Sequence, residues 1–310
     1  MALLPFRRRT SLPGNHQAVA EILDGFSMEV MPRTAAKVLD FQELLPPETR
    51  IYLAHIEGTP IDEMVASAAR LRGEGFAVMP HFPARIIADR AELAHWIERY
   101  RDEADVREAL VLGGGPKSPR GAFGSSMQLL ETELFEAAGF TRLHVAGHPE
   151  GNRDIDPDGG NRIVDEALLW KQDYARQSPA DMAIVTQFAF DAAAVLSWAD
   201  RLAEIGITMP IHVGIAGPAK LHTMLKFAIA CGVGPSLAVL QRRARDVTNL
   251  LLPFEPNDVL RELADGIDGS RGALIENVHV FPLGGIEASA GYLSHVGAST
   301  GSTASVRKGN

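Results

Sequence analysis

The sequence is short of cysteine, of long apolar runs and of excess positive charge. Its single cysteine, Cys231, excludes an internal disulfide and is typical of the reducing cytoplasm, where we expect this protein. No stretch approaches the ~20 consecutive apolar residues of a membrane span, and no secretion signal is recognisable at the N-terminus. The net charge of −9 argues against nucleic acid or an anionic membrane as the main partner.

The length and composition favour one large α/β domain. The chain has 310 residues, of which 46% are hydrophobic and 22% charged, an ordinary balance for a globular protein. We expect residues 1–296 to form one catalytic domain. Residues 297–310 are small and polar, and we expect them to be a disordered tail.

Short apolar runs alternate with longer amphipathic segments along most of the chain. Near-continuous apolar runs of this length are typical of strands buried on both faces, as in a parallel sheet. The eight predicted strands are Phe26–Met31, Arg50–Ile56, Phe76–Phe82, Glu108–Leu112, Arg142–Ala146, Met182–Phe188, Met209–Ile215 and Asn277–Leu283.

Helical periodicity separates these runs. The predicted helices are Ile61–Arg72, Ala91–Tyr100, Met127–Ala138, Arg162–Ala175, Ala192–Ile205 and Lys220–Ala230, and we expect extra helices within Pro235–Ile275. An open doubly wound sheet and a closed (β/α)₈ barrel both fit this alternation. The count of eight favours the TIM barrel, and a Gly-x-Gly-x-x-Gly fingerprint after the first strand is lacking.

A barrel carries its active site at the carboxyl ends of its strands, so polar residues there are the candidates for function. Glu29 lies inside the first apolar run, where it could act as a general acid or base with a raised pKa, or form an ion pair with an inward Arg or Lys. Gln187 in the sixth run could bind the edge of a heterocycle or be a satisfied core amide.

Histidines and glycines end other strands. His55, His81 and His148 could form a zinc cluster, but no His-x-His closes the first strand, and we expect no metal. A neutral histidine that hydrogen-bonds a ligand is the favoured interpretation. Gly113-Gly114-Gly115 either lets a phosphate approach the backbone closely or forms a bare turn.

Several motifs together resemble the methylenetetrahydrofolate reductase family. The resemblance spans about residues 26–292. Its motifs are Phe26-Ser-Met-Glu-Val-Met-Pro32, Pro80-His81, His148-Pro-Glu150, Val185-Thr-Gln-Phe-Ala-Phe-Asp191 and Val278-His-Val-Phe-Pro-Leu283. The sixth-strand motif, around Gln187, is the most specific of them.

The resemblance implies a (β/α)₈ oxidoreductase that interconverts 5,10-methylenetetrahydrofolate and 5-methyltetrahydrofolate with NADH or NADPH, through FAD, in the methionine-forming branch of one-carbon metabolism. Glu29 matches the catalytic glutamate. The implied substrate-binding residues are Gln187, Thr186, Phe190 and Phe227. The implied cofactor-binding residues are His81, Gly113, Gly114, Gly115, His148 and Lys171. Assembly of other members makes a homo-oligomer the expectation by analogy.

Departures from the family pattern fall mainly on the flavin side. Gly113-Gly114-Gly115 replaces Arg-Gly-Asp at the end of the fourth strand, Ala54 replaces a threonine, and His148 replaces a tyrosine. These changes predict weak or absent FAD binding, which would allow direct hydride transfer between the nicotinamide and the folate; a flavin held by different residues is the other interpretation. Two alternatives remain: a folate-dependent methyltransferase, and a folate-binding barrel without catalysis.

Overall fold

The parallel sheet predicted from the sequence closes on itself. The computed structural model describes residues 16–231 and 254–304. All eight strands pair in parallel with their neighbours in chain order, and the last strand pairs with the first through Ser27 and His279. The (β/α)₈ architecture expected from eight alternating units is therefore confirmed.

Seven of the eight predicted strands shift at one or both ends, and the fourth keeps its bounds. They are β1 (Ser27–Val30), β2 (Arg50–Leu53), β3 (Ala77–Pro83), β4 (Glu108–Leu112), β5 (Arg142–Gly147), β6 (Asp181–Ala189), β7 (Ile211–Ala216) and β8 (Ile275–Phe281). The described helices are α1 (His16–Leu23), α2 (Pro32–Ala35), α3 (Ile61–Gly73), α4 (Arg90–Ala104), α5 (Ser126–Leu130), α6 (Leu134–Ala137), α7 (Arg162–Ala175), α8 (Ala192–Glu204), α9 (Leu221–Cys231), α10 (Asn257–Asp268) and α11 (Ile286–Ala304).

Two of the long helices begin at an aspartate that caps them. The Asp89 side chain accepts a hydrogen bond from Glu92 N at the start of α4, and Asp191 accepts one from Ala194 N at the start of α8. Such caps satisfy backbone N–H groups that have no partner within the helix. Asp191 closes the sixth-strand motif, so one residue of that motif caps a helix.

Two differences from the predicted elements have simple causes. The predicted helix 127–138 is broken into α5 and α6 because Glu133 adopts a left-handed φ of 57° between them. The helix α11 continues to Ala304, eight residues beyond the expected end of the domain at residue 296. Its earlier turns pack Leu293 and Val296 in the core, and extending a nucleated helix costs little. Residues 305–310 lie outside the described residues.

The core has three parts, one of which packs Phe188, Phe190 and Phe254 against α9. Most buried apolar side chains lie between the strands and the surrounding helices. Inside the barrel, a smaller cluster contains Tyr52, Met79, Leu110 and Val185. The closed sheet thus leaves its carboxyl-end mouth as the place where polar side chains can meet a ligand. The predicted extra helices before the last strand are confirmed for α10, while residues 235–253 lie outside the described part of the chain.

Candidate active site at the barrel mouth

Glu29 projects from β1 between two histidines. Its Oε2 lies 3.3 Å from His81 Nε2 on β3 and 3.7 Å from His279 Nε2 on β8. The Glu29 side chain remains 22% exposed, whereas the two histidines are almost fully buried. The carboxylate therefore faces the barrel mouth with an imidazole on each side.

The electrostatics of Glu29 differ from the expectation. Burial by itself raises the pKa of Glu29, but the contacts with His279 and His81 outweigh burial and lower the pKa to about 2. The raised pKa predicted from the apolar run is therefore wrong for the free protein. The reason is that the residues which compensate this carboxylate are histidines from β3 and β8, far away in the sequence.

His279 was not among the predicted catalytic or binding residues. Its Nδ1 lies 2.9 Å from Ser27 Oγ, and its ring contacts Tyr52 and Phe281 at centroid distances of 4.3 and 4.8 Å. Burial lowers the pKa of His279, so the ring is neutral. In the tautomer that fits both neighbours, Ser27 donates to Nδ1 and Nε2–H points toward Glu29. In the sequence, a role for His279 was indicated by its position as a polar residue within the last apolar run.

The β6 strand contains an irregularity at the most specific motif. Its pairing with β7 shifts register between Val185 and Phe188, as in a β-bulge. Thr186 Oγ1 donates to Gln187 O over 2.8 Å and accepts from Gly214 N over 2.8 Å. Bulges re-aim side chains and are common beside active sites. Thr186 therefore holds the bulge, while half-buried Gln187 is left without a side-chain hydrogen bond to the described residues.

Gly214 is required for this arrangement. A Cβ at Gly214 would lie 2.5 Å from backbone atoms of Gln187 and Thr186. Real Cβ atoms do not approach backbone so closely, because the repulsion is steep. The glycine lets β7 pass directly beneath the bulge.

The two predicted aromatic binding residues have different positions. Phe190 is 5% exposed and packs edge-on against Phe188 and Phe254, so it is part of the core at the mouth instead of its lining. Phe227, on α9, is 37% exposed and is available to stack on a ligand. The motif spacing did not distinguish an aromatic that packs inward from one that faces solvent.

The glycine triplet after β4 combines one structural glycine with two open positions. Gly114 has a φ of +93°, and a Cβ there would lie 3.0 Å from Pro83 Cβ. No atom lies within 4 Å of the Cβ positions of Gly113 and Gly115. Arg85 fixes the loop, because its guanidinium donates to Pro116 O and Gly124 O. The glycine triplet at the end of β4 thus leaves open space beside Gly113 and Gly115 and contributes no charged side chain.

Lys171 and His148 lie on the α7 side of the mouth. Lys171 is buried on α7 and forms no hydrogen bond or ion pair with the described residues. Burial lowers the pKa of Lys171 to about 8. Burial and the nearby Lys171 charge lower the pKa of half-buried His148 to about 4. At neutral pH the pair is a buried cation beside a neutral imidazole, which suits an anionic ligand.

His55 is not part of the cluster around Glu29. Its ring contacts Trp96 in a tilted arrangement with centroids 4.7 Å apart, and its Nε2 lies 3.0 Å from Thr59 O. Within residues 16–231 and 254–304, no three histidine, cysteine or acidic side chains form an arrangement suited to a metal ion.

A second polar group that the sequence did not suggest lies deeper in the barrel. The Tyr52 hydroxyl is 2.5 Å from His144 Nδ1, and the His144 ring meets the edge of His212 at 4.8 Å. His212 Nε2 donates to Glu276 Oε2 over 3.0 Å. Burial lowers the pKa of both histidines and raises that of Tyr52, so all three are neutral inside the barrel.

Comparison with known proteins gives the fold and no family. No model of a protein family matches the sequence. A solved structure, described as an uncharacterised protein from Clostridium thermocellum that binds two copies of 5-methyl-5,6,7,8-tetrahydrofolic acid, matches with a TM-score of 0.55 at 11% identity. The match covers 91% of this chain and 99% of that one. At this identity the match supports the shared barrel and no more.

A weaker match is to the carboxyl transferase domain of pyruvate carboxylase from Rhizobium etli. It has a TM-score of 0.40 at 8% identity and covers 86% of this chain and 53% of that one, too low to support an argument. Along the part of the chain that is described, the helices are too short or too polar to cross a membrane.

Proposed function

We propose that the barrel mouth binds a reduced folate and that the protein interconverts 5,10-methylenetetrahydrofolate and 5-methyltetrahydrofolate with NADH or NADPH. The observation that carries this proposal is the Glu29 carboxylate, held between His81 and His279 at the barrel mouth. Its place at the end of β1 agrees with the catalytic glutamate of the family that the sequence resembles. The structurally similar clostridial protein is described as binding a reduced folate, which is the class of ligand proposed here.

Three side chains have defined roles in this proposal. Glu29 passes a proton to N10 of the folate. Gln187, displayed by the β6 bulge, binds the pterin edge, since an amide can donate and accept hydrogen bonds at once. Phe227 stacks on the aminobenzoate ring from α9.

The reaction balances with one proton and one hydride. Protonation of N10 lets the bond between N10 and the methylene carbon break, and the electron pair stays on N10. The methylene carbon becomes an iminium carbon bonded to N5, and it accepts a hydride from the reduced nicotinamide to become a methyl group. The protein contributes the proton and the orientation of both reactants.

The opposite side of the mouth fits a dinucleotide. Lys171 supplies a buried cation without a partner among the described residues, and Gly113 and Gly115 leave room at the end of β4. These features fit the diphosphate that FAD and NAD(P)H have in common. FAD would supply a two-electron carrier if bound there. Because the triplet offers no charged group in place of Arg and Asp, we propose direct use of the nicotinamide without tightly bound flavin.

The test is to mix the purified protein with methylenetetrahydrofolate and NADH or NADPH and to follow nicotinamide absorbance. We expect oxidation of the nicotinamide only when the folate is present, by a protein without flavin bands in its visible spectrum. Glu29→Gln should lower turnover by about 10²-fold or more while 5-methyltetrahydrofolate still binds, because the amide keeps the shape and loses the proton transfer.

Other results would change the assignment. Stoichiometric flavin bleached by the nicotinamide would replace direct transfer with a flavin route. A protein that binds folate and transfers its methyl group to a thiol or corrinoid would be a methyltransferase. Folate binding with neither activity would indicate a non-catalytic barrel, and the loss of both binding and turnover in Glu29→Gln would make Glu29 a structural residue.

A further inference from the structure

The loop that follows β4 is long and lies against the segment that follows β3. Residues 113–125 connect β4 to α5 without a helix or a strand, and residues 117–122 are exposed. Loops of this length without secondary structure are uncommon in compact domains, and the ordered ones usually have a function. The position of this loop depends on its contacts with residues 84–89, at the neighbouring corner of the barrel mouth.

Four hydrogen bonds join Arg85 to this loop. Its backbone N–H donates to Gly113 O over 2.9 Å, and its backbone oxygen accepts from Arg120 N over 2.8 Å. Its side chain donates from Nη1 to Pro116 O over 3.0 Å and from Nε to Gly124 O over 3.1 Å. One half-buried residue therefore binds the loop at its start, along its length and at its end.

The exposed part of the loop makes a second close contact with the same segment. Ala122 N donates to Ala88 O over 2.7 Å, and a Cβ at Gly121 would lie 1.9 Å from that oxygen. A side chain at Gly121 would therefore push the loop away from the backbone beneath it. The position of the loop can thus be disturbed at Gly121 without a change at Arg85.

The end of β4 carries hydrogen-bond donors and a positive charge that the protein itself does not neutralise. Both side-chain hydrogen bonds of Arg85 go to carbonyl oxygens, and no acidic side chain in the described part of the chain forms an ion pair with it. The N–H groups of Gly114 and Gly115 form no hydrogen bond with the described residues. Free backbone N–H groups beside a guanidinium suit an anionic ligand.

We propose that Arg85 is a positioning residue for the dinucleotide: it holds residues 113–125 against residues 84–89 and so keeps the N–H groups of Gly114 and Gly115 in place for the diphosphate. This inference rests on the proposed function, which assigns the diphosphate to the glycine triplet. The planar guanidinium suits the role, because its fixed donors bind two carbonyl oxygens at once. Loss of Arg85 should weaken the binding of the dinucleotide and leave the binding of the folate unchanged.

The first experiment measures hydrogen–deuterium exchange in residues 113–125 and the affinity for inorganic pyrophosphate. In Arg85→Met, exchange in the loop should be about tenfold faster or more, and pyrophosphate should bind about tenfold more weakly, because two hydrogen bonds from a charged group are lost. Arg85→Lys should recover only part of either effect, since an ammonium group lacks the fixed donors. Arg90→Met is the matched control and should change neither, because Arg90 donates to Thr132 O outside the loop.

The outcomes separate this inference from the proposed function. If the wild type binds pyrophosphate and Arg85→Met changes neither loop exchange nor affinity, the role of Arg85 is refuted. Faster exchange with unchanged affinity would refute the connection between the loop and the ligand. Full recovery of affinity in Arg85→Lys would show that the charge alone matters, which also refutes positioning. A wild-type protein that does not bind pyrophosphate would refute the dinucleotide site itself.

The second experiment compares Arg85→Met with Gly121→Ala, which keeps the guanidinium and displaces the loop from Ala88 O. Both variants should raise KM for NADH or NADPH about tenfold, while kcat and KM for the folate change by about twofold at most. A rise in Arg85→Met alone would assign the effect to charge and refute positioning. Absence of turnover in the wild type would refute the proposed function, and the pyrophosphate affinities of the same two variants would then decide the role of Arg85.

Discussion

Replacing Gly214 by alanine would test whether the β6 bulge builds the candidate folate site. The added Cβ would lie 2.5 Å from the carbonyl carbon and oxygen of Gln187 and from Thr186 O. These are backbone atoms, so no side-chain rotation relieves the contact. The bulge has to move away from β7, and the Gly214 N–H bond to Thr186 Oγ1 is strained or broken.

The expected cost follows from these contacts. Overpacking a filled interior costs typically 1–3 kcal/mol, and loss of one neutral hydrogen bond adds about 1 kcal/mol, so we expect a loss of roughly 3 kcal/mol in the free energy of unfolding. Because Gln187 moves with the bulge, affinity for 5-methyltetrahydrofolate should fall about tenfold, equivalent to ~1.4 kcal/mol. Urea unfolding measures the first effect, and calorimetric titration of the folate measures the second.

Gly113→Ala is the matched control for stability. Gly113 also follows a barrel strand, but no atom lies within 4 Å of its Cβ position, so its free energy of unfolding should stay within ~0.5 kcal/mol of wild type. Wild-type stability and folate affinity in Gly214→Ala would refute the argument that the close passage of β7 holds the bulge. Lost stability with unchanged affinity would separate the bulge from the binding site.

Two further expectations follow from buried titratable groups. Lys171→Met should raise the free energy of unfolding by up to about 3 kcal/mol at neutral pH, because the buried ammonium has a pKa of about 8 instead of 10.5, and should weaken binding of inorganic pyrophosphate. Wild-type stability should also rise between pH 8 and 10.5, where the unfolded chain binds more protons than the folded chain, and the variant should lack this rise. A destabilised variant would show that Lys171 does have a partner inside the protein. In the barrel interior, neutral His144 and His212 should make stability fall as pH drops below 6.5, by up to ~1.4 kcal/mol per pH unit for each histidine, and for His212 the fall should continue to about pH 4. His212→Phe should remove one histidine's share of that slope in urea titrations between pH 7 and 5, and an unchanged slope would show that His212 is not held neutral.

The barrel could be predicted from the sequence because its determinants are local. Apolar runs such as Glu108–Leu112 and amphipathic segments such as Arg162–Ala175 carry their own periodicity, and both have the predicted bounds in the structure. The helix α11 was not among the predicted helices, because the small polar residues of its second half resemble a linker. Composition does not show that a packed helix upstream already provides the nucleus for its extension.

Individual residues of the candidate site could be predicted from the sequence, but the contacts between them could not. The position of Glu29 in an apolar run marked it as unusual, but its neighbours come from β3 and β8, and no local pattern encodes that register. The same holds for Thr186, whose hydroxyl is used within the bulge, and for Phe190, whose ring packs inward. Side chains from distant strands determine the charge state and the orientation of each site residue. The motif matches therefore identified the residues and did not predict their protonation or their contacts.

The two sides of the barrel mouth have opposite electrostatics, and this makes their roles separable. Glu29 is a half-buried anion with an imidazole on each side, so it has no need of a charged ligand and is suited to moving a proton. Lys171 is a buried cation with no counter-charge among the described residues, which costs stability until an anion binds. Removing Lys171 should therefore reduce pyrophosphate affinity and leave the affinity for 5-methyltetrahydrofolate unchanged, whereas Glu29→Gln should leave the pyrophosphate affinity unchanged. If either substitution altered both properties, the two groups would form one coupled site, and the assignment of folate and dinucleotide to opposite sides would fail.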